Sequence, residues 1–226
     1  SQTDLCCSSW NLRSLPMTTS TAPVVRQYST EELPARVDVA IIGGDLAGLG
    51  CAAALARSGV DVAVLESRSP DRPGGAARSS GILIPGLTES AHRLVDTLGK
   101  EECSLLFQLA LYGAKRLEGM GLFEPTGVSL AALSPTEEES LAFDLEAYEA
   151  LSWKAETWTP SDRQRTRGFH SGCHLPEAGL VDPRRAITEF RKVVTDTGGQ
   201  LCDSTKVLDV EDHDHGLSVI TNRGRI

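Results

Sequence analysis

The chain has 226 residues, a formal net charge of −9, and 40% hydrophobic against 23% charged residues. These proportions describe a globular chain long enough to bury a sizeable core, as one large domain or two small ones. They argue against nucleic-acid binding, since no basic patch interleaved with aromatics accompanies the acidic balance, and no apolar run approaches the roughly 18 residues of a membrane span.

Residues 1–35 are rich in Ser and Thr, sparse in charge and without periodicity, around an isolated Trp10. Such a segment offers little apolar surface to offset ordering entropy, so a disordered leader is expected. The remainder of an organellar presequence is the alternative. No compact apolar stretch of secretory type is present, and a cytoplasmic location is expected, or an organellar one after presequence removal.

Residues 37–42 form a β-branched run with Asp38 as its only charge, suited to a buried parallel strand. Gly43, Gly44, Asp45, Leu46, Ala47 and Gly48 follow directly. Gly43 permits a tight turn out of the strand, and Gly48 lets the next helix lie close to the sheet. That helix is predicted over residues 46–57 and stopped by Ser58-Gly59. Its free N–H groups and positive dipole end would face a phosphate. A second strand follows at residues 60–65 and ends in Glu66, 18 residues after Gly48, about where a ribose-binding carboxylate belongs. A carboxylate there accepts from ribose hydroxyls and repels a 2′-phosphate, which favours FAD or NAD over NADP.

Asp45 is the discordant residue. It stands where the fingerprint's second glycine lets backbone approach a pyrophosphate. A carboxylate about 4 Å from a phosphate costs roughly 1–4 kcal/mol per charge pair at effective dielectrics of 80 to 20. Three readings stay open: the side chain repels the cofactor, points to solvent, or caps the helix through its own oxygen. A βαβ unit whose glycines serve packing alone is the bland alternative.

Helices are predicted over residues 88–98 and 100–120, the second with Leu105, Leu109, Leu111 and Leu117 at helical spacing and Gly121 as its stop. A strand is predicted at 127–133. Ser134-Pro135-Thr136-Glu137 is a capping box with proline at the first helical position, opening a helix to about residue 151. Its acidic face (Glu137, Glu138, Glu139, Asp144, Glu146 and Glu149) is expected to be solvated. Trp153 and Trp158 are expected to be packing anchors. The sequence FHSGCH gathers His170, Cys173 and His174. A metal site is not expected there, since no second ligand cluster accompanies it, whereas a place in the wall of a substrate cavity is open. Cys6, Cys7, Cys51, Cys103, Cys173 and Cys202 form no CxxC pair and read as reduced thiols. Asp182 and Pro183 are N-cap and first residue of a further helix that Gly198-Gly199 closes. Residues 206–212 and 216–221 read as a β-hairpin, with His213 and His215 exposed in its turn, and Asn222-Arg223-Gly224 signals another turn after which a strand should follow.

Three segments together resemble the D-amino-acid-oxidase-like (DAO) group of FAD-dependent oxidoreductases, which includes glycine and sarcosine oxidases and amino-acid dehydrogenases. The first is IIGGDLAGLGCAAALARSGVDVAVLE. The second, GGAARSSGILIP at residues 74–85, is similar to the loop that wraps the flavin diphosphate and flavin edge. Arg78 and Gly81 match its pattern, while Ala76 and Ser79 stand where Ser and Asn are commoner. The third is LPEAGLVDPRRAITEFRKVVTDTGG with the strand after it, in which Val207 takes the position that reaches the adenine. The resemblance covers most of residues 37–226.

The resemblance implies an α/β architecture: a Rossmann-like FAD-binding domain, a βαβ parallel sheet built from residues 36–87 and 176–226, interleaved with part of an α+β substrate domain at 88–175. It implies FAD as cofactor, held by Gly43, Gly44, Asp45, Leu46, Ala47, Gly48, Glu66, Ser67, Arg68, Arg78, Ser79, Ser80, Gly81 and Val207. It also implies oxidation of a C–N bond in a small amine or amino acid, with hydride passing to flavin N5. No catalytic residue is assigned, because the groups that hold substrate are expected beyond Ile226. The chain is expected to be the truncated N-terminal part of such an enzyme and inactive in isolation. The alternatives are a non-catalytic or truncated dinucleotide-fold protein and an NAD-binding Rossmann protein.

Overall fold

The computed structural model describes residues 32–70, 72, 74–159 and 168–226. The expected leader lies outside the described residues as far as residue 31, together with Cys6, Cys7 and Trp10. In chain order the elements are β1 (Val39–Ile42), α1 (Leu46–Arg57), β2 (Val62–Leu65), a 3-10 turn (Ala76–Arg78), β3 (Ile82–Leu83), α2 (Ala91–Leu98), α3 (Lys100–Gly119), β4 (Phe123–Glu124), β5 (Val128–Ala132), α4 (Pro135–Ala150), β6 (Glu156–Thr157), β7 (Ser171–Leu175), β8 (Gly179–Val181), α5 (Pro183–Asp196), β9 (Gln200–Cys202), β10 (Val207–His213), β11 (Gly216–Thr221) and β12 (Gly224–Arg225).

β1, β2 and β9 form a parallel sheet in that order. All four residues of β2 are buried, as a parallel strand covered on both faces requires. On one face α1 and α5 pack Leu49, Ala52, Ala53, Ala56 and Val194 against Val62, Val64 and Leu201. On the other, Ala63, Leu65 and Cys202 meet Val219 of the antiparallel β10–β11–β12 meander. The small residues of α1 bring it close to the sheet: a Cβ on Gly48 would stand 2.0 Å from the Gly43 carbonyl oxygen. Asp182 caps α5 by accepting from Arg184 N and Arg185 N at 3.0 and 3.2 Å, with Pro183 at the first helical position.

A separate apolar cluster lies between α2, α3, α4 and the β5–β7–β6 sheet. Phe107 meets Trp153 and Tyr148 edge-on, with centroids at 5.2 and 6.3 Å. Cys173 is buried in this cluster. Burial pushes its thiol up to about 11 and the Tyr148 phenol up to about 12. A fourth three-stranded sheet, β3–β8–β4, completes the described strands.

Several local expectations change. On α3 the inward stripe is Cys103, Phe107 and Ala114 with Leu111 beside them, while Leu105 and Leu109 are 68% and 67% exposed. The leucine spacing fitted a helix equally well on either face, and the larger aromatic surface of Phe107 chose the buried one. Asp144 is not part of a solvated face. It accepts from His92 N at 3.0 Å and meets His92 Nδ1 at 2.8 Å, joining the first turn of α2 to α4. His213 is the last residue of β10, opposite Gly216, rather than a turn residue. Ser134 accepts from Glu137 N at 3.3 Å as expected, but the Glu137 carboxylate returns to Leu133 N, one residue earlier than a capping box prescribes. Trp153 is buried, and Trp158 packs edge-on to Phe169 over Gly172.

Among the described residues no helix is long and apolar enough to cross a membrane, and no group of three or more His, Cys, Asp or Glu side chains is placed to hold a metal.

Candidate functional site

The carboxyl ends of β1 and β2, the first turn of α1 and the loop at 74–81 converge on one place. Ligands of open α/β sheets bind outside the carboxyl ends of the strands, and here the chain is shaped for such an approach. Gly43 leaves β1 at φ +108°, and its N–H donates to the Leu65 carbonyl at 2.9 Å, so the turn is tied to β2. Gly48 admits no side chain, because its neighbour is backbone. These two glycines keep the turn narrow and bare.

Two carboxylates face the turn. Glu66 follows β2 and accepts from Gly44 N through Oε2 and from Arg68 N through Oε1, both at 2.8 Å. Ser67 Oγ donates to Oε1 at 3.3 Å, and the Arg68 guanidinium stands 3.6 Å from it. Asp45 has extended backbone and is the N-cap of α1. Its Oδ1 accepts from Leu46 N and its Oδ2 from Ala76 N, both at 3.1 Å. Asp45 therefore caps α1 rather than pointing to solvent, and the same carboxylate also reaches a second segment of chain.

The loop at 74–81 is fixed from both sides. Gly74 passes so close to the turn that a Cβ there would lie 2.6 Å from Arg68 Nη1 and 2.7 Å from Asp45 Oδ2. At the far end Gly81, at φ +78°, exchanges a hydrogen bond with β8, its carbonyl accepting from Val181 N at 2.8 Å. Arg184 of α5 reaches the Ala77 carbonyl at 3.5 Å. Ser79 Oγ accepts from Gly81 N and Ser80 Oγ from Ile82 N, so both hydroxyls brace their own loop. Arg78 is exposed.

The structure therefore brings Gly43, Gly44, Asp45, Leu46, Gly48, Glu66, Ser67 and Arg68 to one turn, with the 74–81 loop joined to it at Ala76. Ala47 is exposed on the first turn of α1. Val207 starts β10 and packs against the cluster of Ala63, Leu65, Cys202 and Val219. The bare turn, the helix N-terminus and the carboxylate at the end of β2 fit a dinucleotide such as FAD, while the Asp45 carboxylate already occupies two of the donors at its mouth.

Sequence reasoning noted Ala76 only as a departure from the loop's usual Ser and missed its contribution, a backbone N–H to Asp45, and it did not single out Arg191 or Asp203. These last two form a buried pair behind the sheet end, Nη1 to Oδ1 at 3.1 Å and Nη2 to Oδ2 at 2.5 Å, each side chain 4% exposed. A signal existed: Arg191 sits in the stripe of Ile187, Phe190 and Val194 on α5, where an arginine has to find a buried partner.

Several known proteins are similar to this chain. The chain is 30% identical to the probable oxidoreductase OrdL of Rhizobium meliloti (strain 1021), over 84% of this chain and 47% of that protein. Among solved structures, L-proline dehydrogenase from P. horikoshii superposes with a TM-score of 0.69 at 22% identity, over 86% of this chain and 51% of that one. Glycine oxidase from Geobacillus kaustophilus gives 0.67 at 21%, over 84% and 52%. L-α-glycerophosphate oxidase from Mycoplasma pneumoniae, a structure with FAD bound, gives 0.64 at 16%, over 82% and 50%. The chain spans about half the length of these relatives. At these identities the superpositions establish the fold, and they bear out the mixed α/β architecture expected from the sequence. The family model for FAD dependent oxidoreductases matches residues 38–226, so the chain belongs to the FAD-dependent DAO oxidoreductase family.

Proposed function

We propose that this chain carries the cofactor-holding portion of an FAD-dependent oxidoreductase that oxidises the C–N bond of a small amine or amino acid. The observation that carries the proposal is the closed turn itself: Gly43 and Gly48 bare at the mouth of α1, Glu66 at the end of β2, and the 74–81 loop folded back onto them. In this reading residues 36–87 and 176–226 form the FAD-binding part and residues 88–175 part of the substrate side. Gly43, Gly44, Leu46, Ala47 and Gly48 would line the diphosphate, and Glu66 with Ser67 and Arg68 would meet the ribose. Residues 78–81 would border the flavin, and Val207 the adenine. When bound, FAD supplies the two-electron acceptor for a hydride leaving the substrate α-carbon, and the resulting imine hydrolyses in water. The chain's own part is to orient that acceptor. The turn fixes its position through backbone, and the loop, pinned at Gly81 and Ala77, holds its shape without depending on the ligand.

Glycine oxidase and L-proline dehydrogenase, by their names, act on amino acids, which supports C–N chemistry. The glycerophosphate oxidase shares the fold and takes another substrate class. The decisive experiment is anaerobic titration, with amines, amino acids and α-hydroxy compounds, of the FAD-loaded enzyme of which this chain is the cofactor-holding portion, reading the loss of flavin absorbance near 450 nm. Bleaching by amines or amino acids alone is expected. Bleaching by hydroxy compounds alone would overturn the C–N assignment, and failure to take up FAD at all would overturn the cofactor assignment. Asp45 favours a second reading, a family member that keeps the fold without the catalysis, for which stable FAD binding with no bleaching by any substrate would be the signature.

A further inference from the structure

We infer that the Asp45 carboxylate is a built-in competitor of the cofactor diphosphate, and that this chain binds FAD only by displacing it. The inference rests on the cofactor reading above and concerns how that site is filled.

Backbone N–H groups at a glycine turn and helix N-terminus bind phosphate because they are unpaired donors at the positive end of the helix dipole. In this chain three of the donors at the mouth are already engaged by its own anions. Gly44 N–H donates to Glu66, and Leu46 N–H and Ala76 N–H both donate to Asp45. Asp45 therefore does more than cap α1. One oxygen holds the helix and the other holds the loop, so a single carboxylate joins two segments separated by 31 residues. The loop is built to let this happen. Gly74 leaves no room for a side chain between Asp45 Oδ2 and the Arg68 guanidinium, so the backbone can come within hydrogen-bond reach of the carboxylate.

The geometry has two consequences with opposite signs. A diphosphate entering the turn meets a like charge on the donors it needs, which weakens binding. The same carboxylate satisfies otherwise open donors and ties the loop down, which stabilises the chain without cofactor. A residue that only capped the helix would produce the second effect and not the first.

Two substitutions in the full chain separate these roles. Asp45→Gly removes charge, cap and bridge together. Asp45→Ser keeps a short cap on α1 but carries no charge and is too short to reach Ala76. Binding is read by titration with FAD and, separately, with ADP, which carries the diphosphate and lacks the flavin. Loop closure is read by hydrogen exchange at the Ala76 amide in the cofactor-free protein. Both variants are expected to bind FAD and ADP at least about tenfold more tightly, which is about 1.4 kcal/mol. Both should also exchange the Ala76 amide faster. The melting temperature without cofactor should fall more for Gly than for Ser. Equal or weaker FAD binding in both variants overturns the inference and leaves the cofactor assignment standing, and so does tighter FAD binding with unchanged ADP binding. Absence of FAD binding in all three forms overturns the inference and the cofactor assignment together.

Discussion

The glycine-turn region and the aromatic cluster at 88–175 hold together in opposite ways. Around β1, β2 and α1 the chain works by omission. Gly43, Gly48 and the alanines of α1 carry almost no side chain, so backbone lies against backbone and the end of the sheet stays bare. Around α3, α4 and β7 it works by bulk, with Phe107, Tyr148 and Trp153 filling the space between helices and sheet. The first region leaves a bare turn at the end of the sheet. The second is a packed core whose buried groups are titratable.

The largest expected effect comes from removing bulk. Trp153→Ala should cost about 3–5 kcal/mol in urea denaturation, the usual range for deleting a buried aromatic. A loss under about 1 kcal/mol would mean that Trp153 does not anchor the cluster. The mirror experiment adds a single carbon. Gly48→Ala should cost about 1–3 kcal/mol, at the upper end because the obstacle at 2.0 Å is the Gly43 carbonyl and cannot rotate away. A neutral result would remove the basis of the contrast.

Alkaline pH should act on the aromatic cluster. The Cys173 thiol, ordinarily near 9, is pushed up to about 11 and the Tyr148 phenol, ordinarily near 10, to about 12, in both cases mainly by burial. A raised folded value means the native state holds the proton longer than the unfolded chain. The stability these groups confer is therefore intact below pH 9 and is lost as pH rises from 9 towards 12, by something on the order of 2 kcal/mol per group. Cys173→Ala should flatten the fall between pH 9 and 11. An unchanged slope would place the alkaline sensitivity elsewhere.

The smallest effects test whether the contrast extends to helix ends. Asp182→Ala and Ser134→Ala should each cost about 1 kcal/mol. Asp182 should cost the more, because it accepts from two backbone N–H groups where Ser134 accepts from one. Melting temperatures of the two variants decide the order, and equal shifts would show that the second hydrogen bond contributes nothing measurable.

Much of the parallel-sheet region was legible in the sequence because its signals are local. A glycine turn between a β-branched run and an alanine-rich helix requires only neighbouring residues to act, and α1 begins and ends where its sequence predicts. The caps Ser134-Pro135 and Asp182-Pro183 were read correctly for the same reason. The face of α3 was not legible, because Leu105 and Leu109 stand at helical spacing just as Cys103, Phe107, Leu111 and Ala114 do. Only contact with Trp153 and Tyr148 decided between them.

Neighbouring residues alone establish that Gly43 and Gly48 build a narrow turn, that Glu66 ends the strand beside it, and that Asp45 is the residue out of place. They also limit Asp45 to three possible behaviours. Tertiary contacts turned the carboxylate inward rather than to solvent, because the Ala76 N–H that completes its hydrogen bonding arrives from a loop 31 residues away. The same is true of Arg191 and Asp203, whose charges are tolerable inside the protein only because α5 and the end of β9 bring them together. Local order is set by bonds between near neighbours. What a charge does depends on which distant donors fold around it.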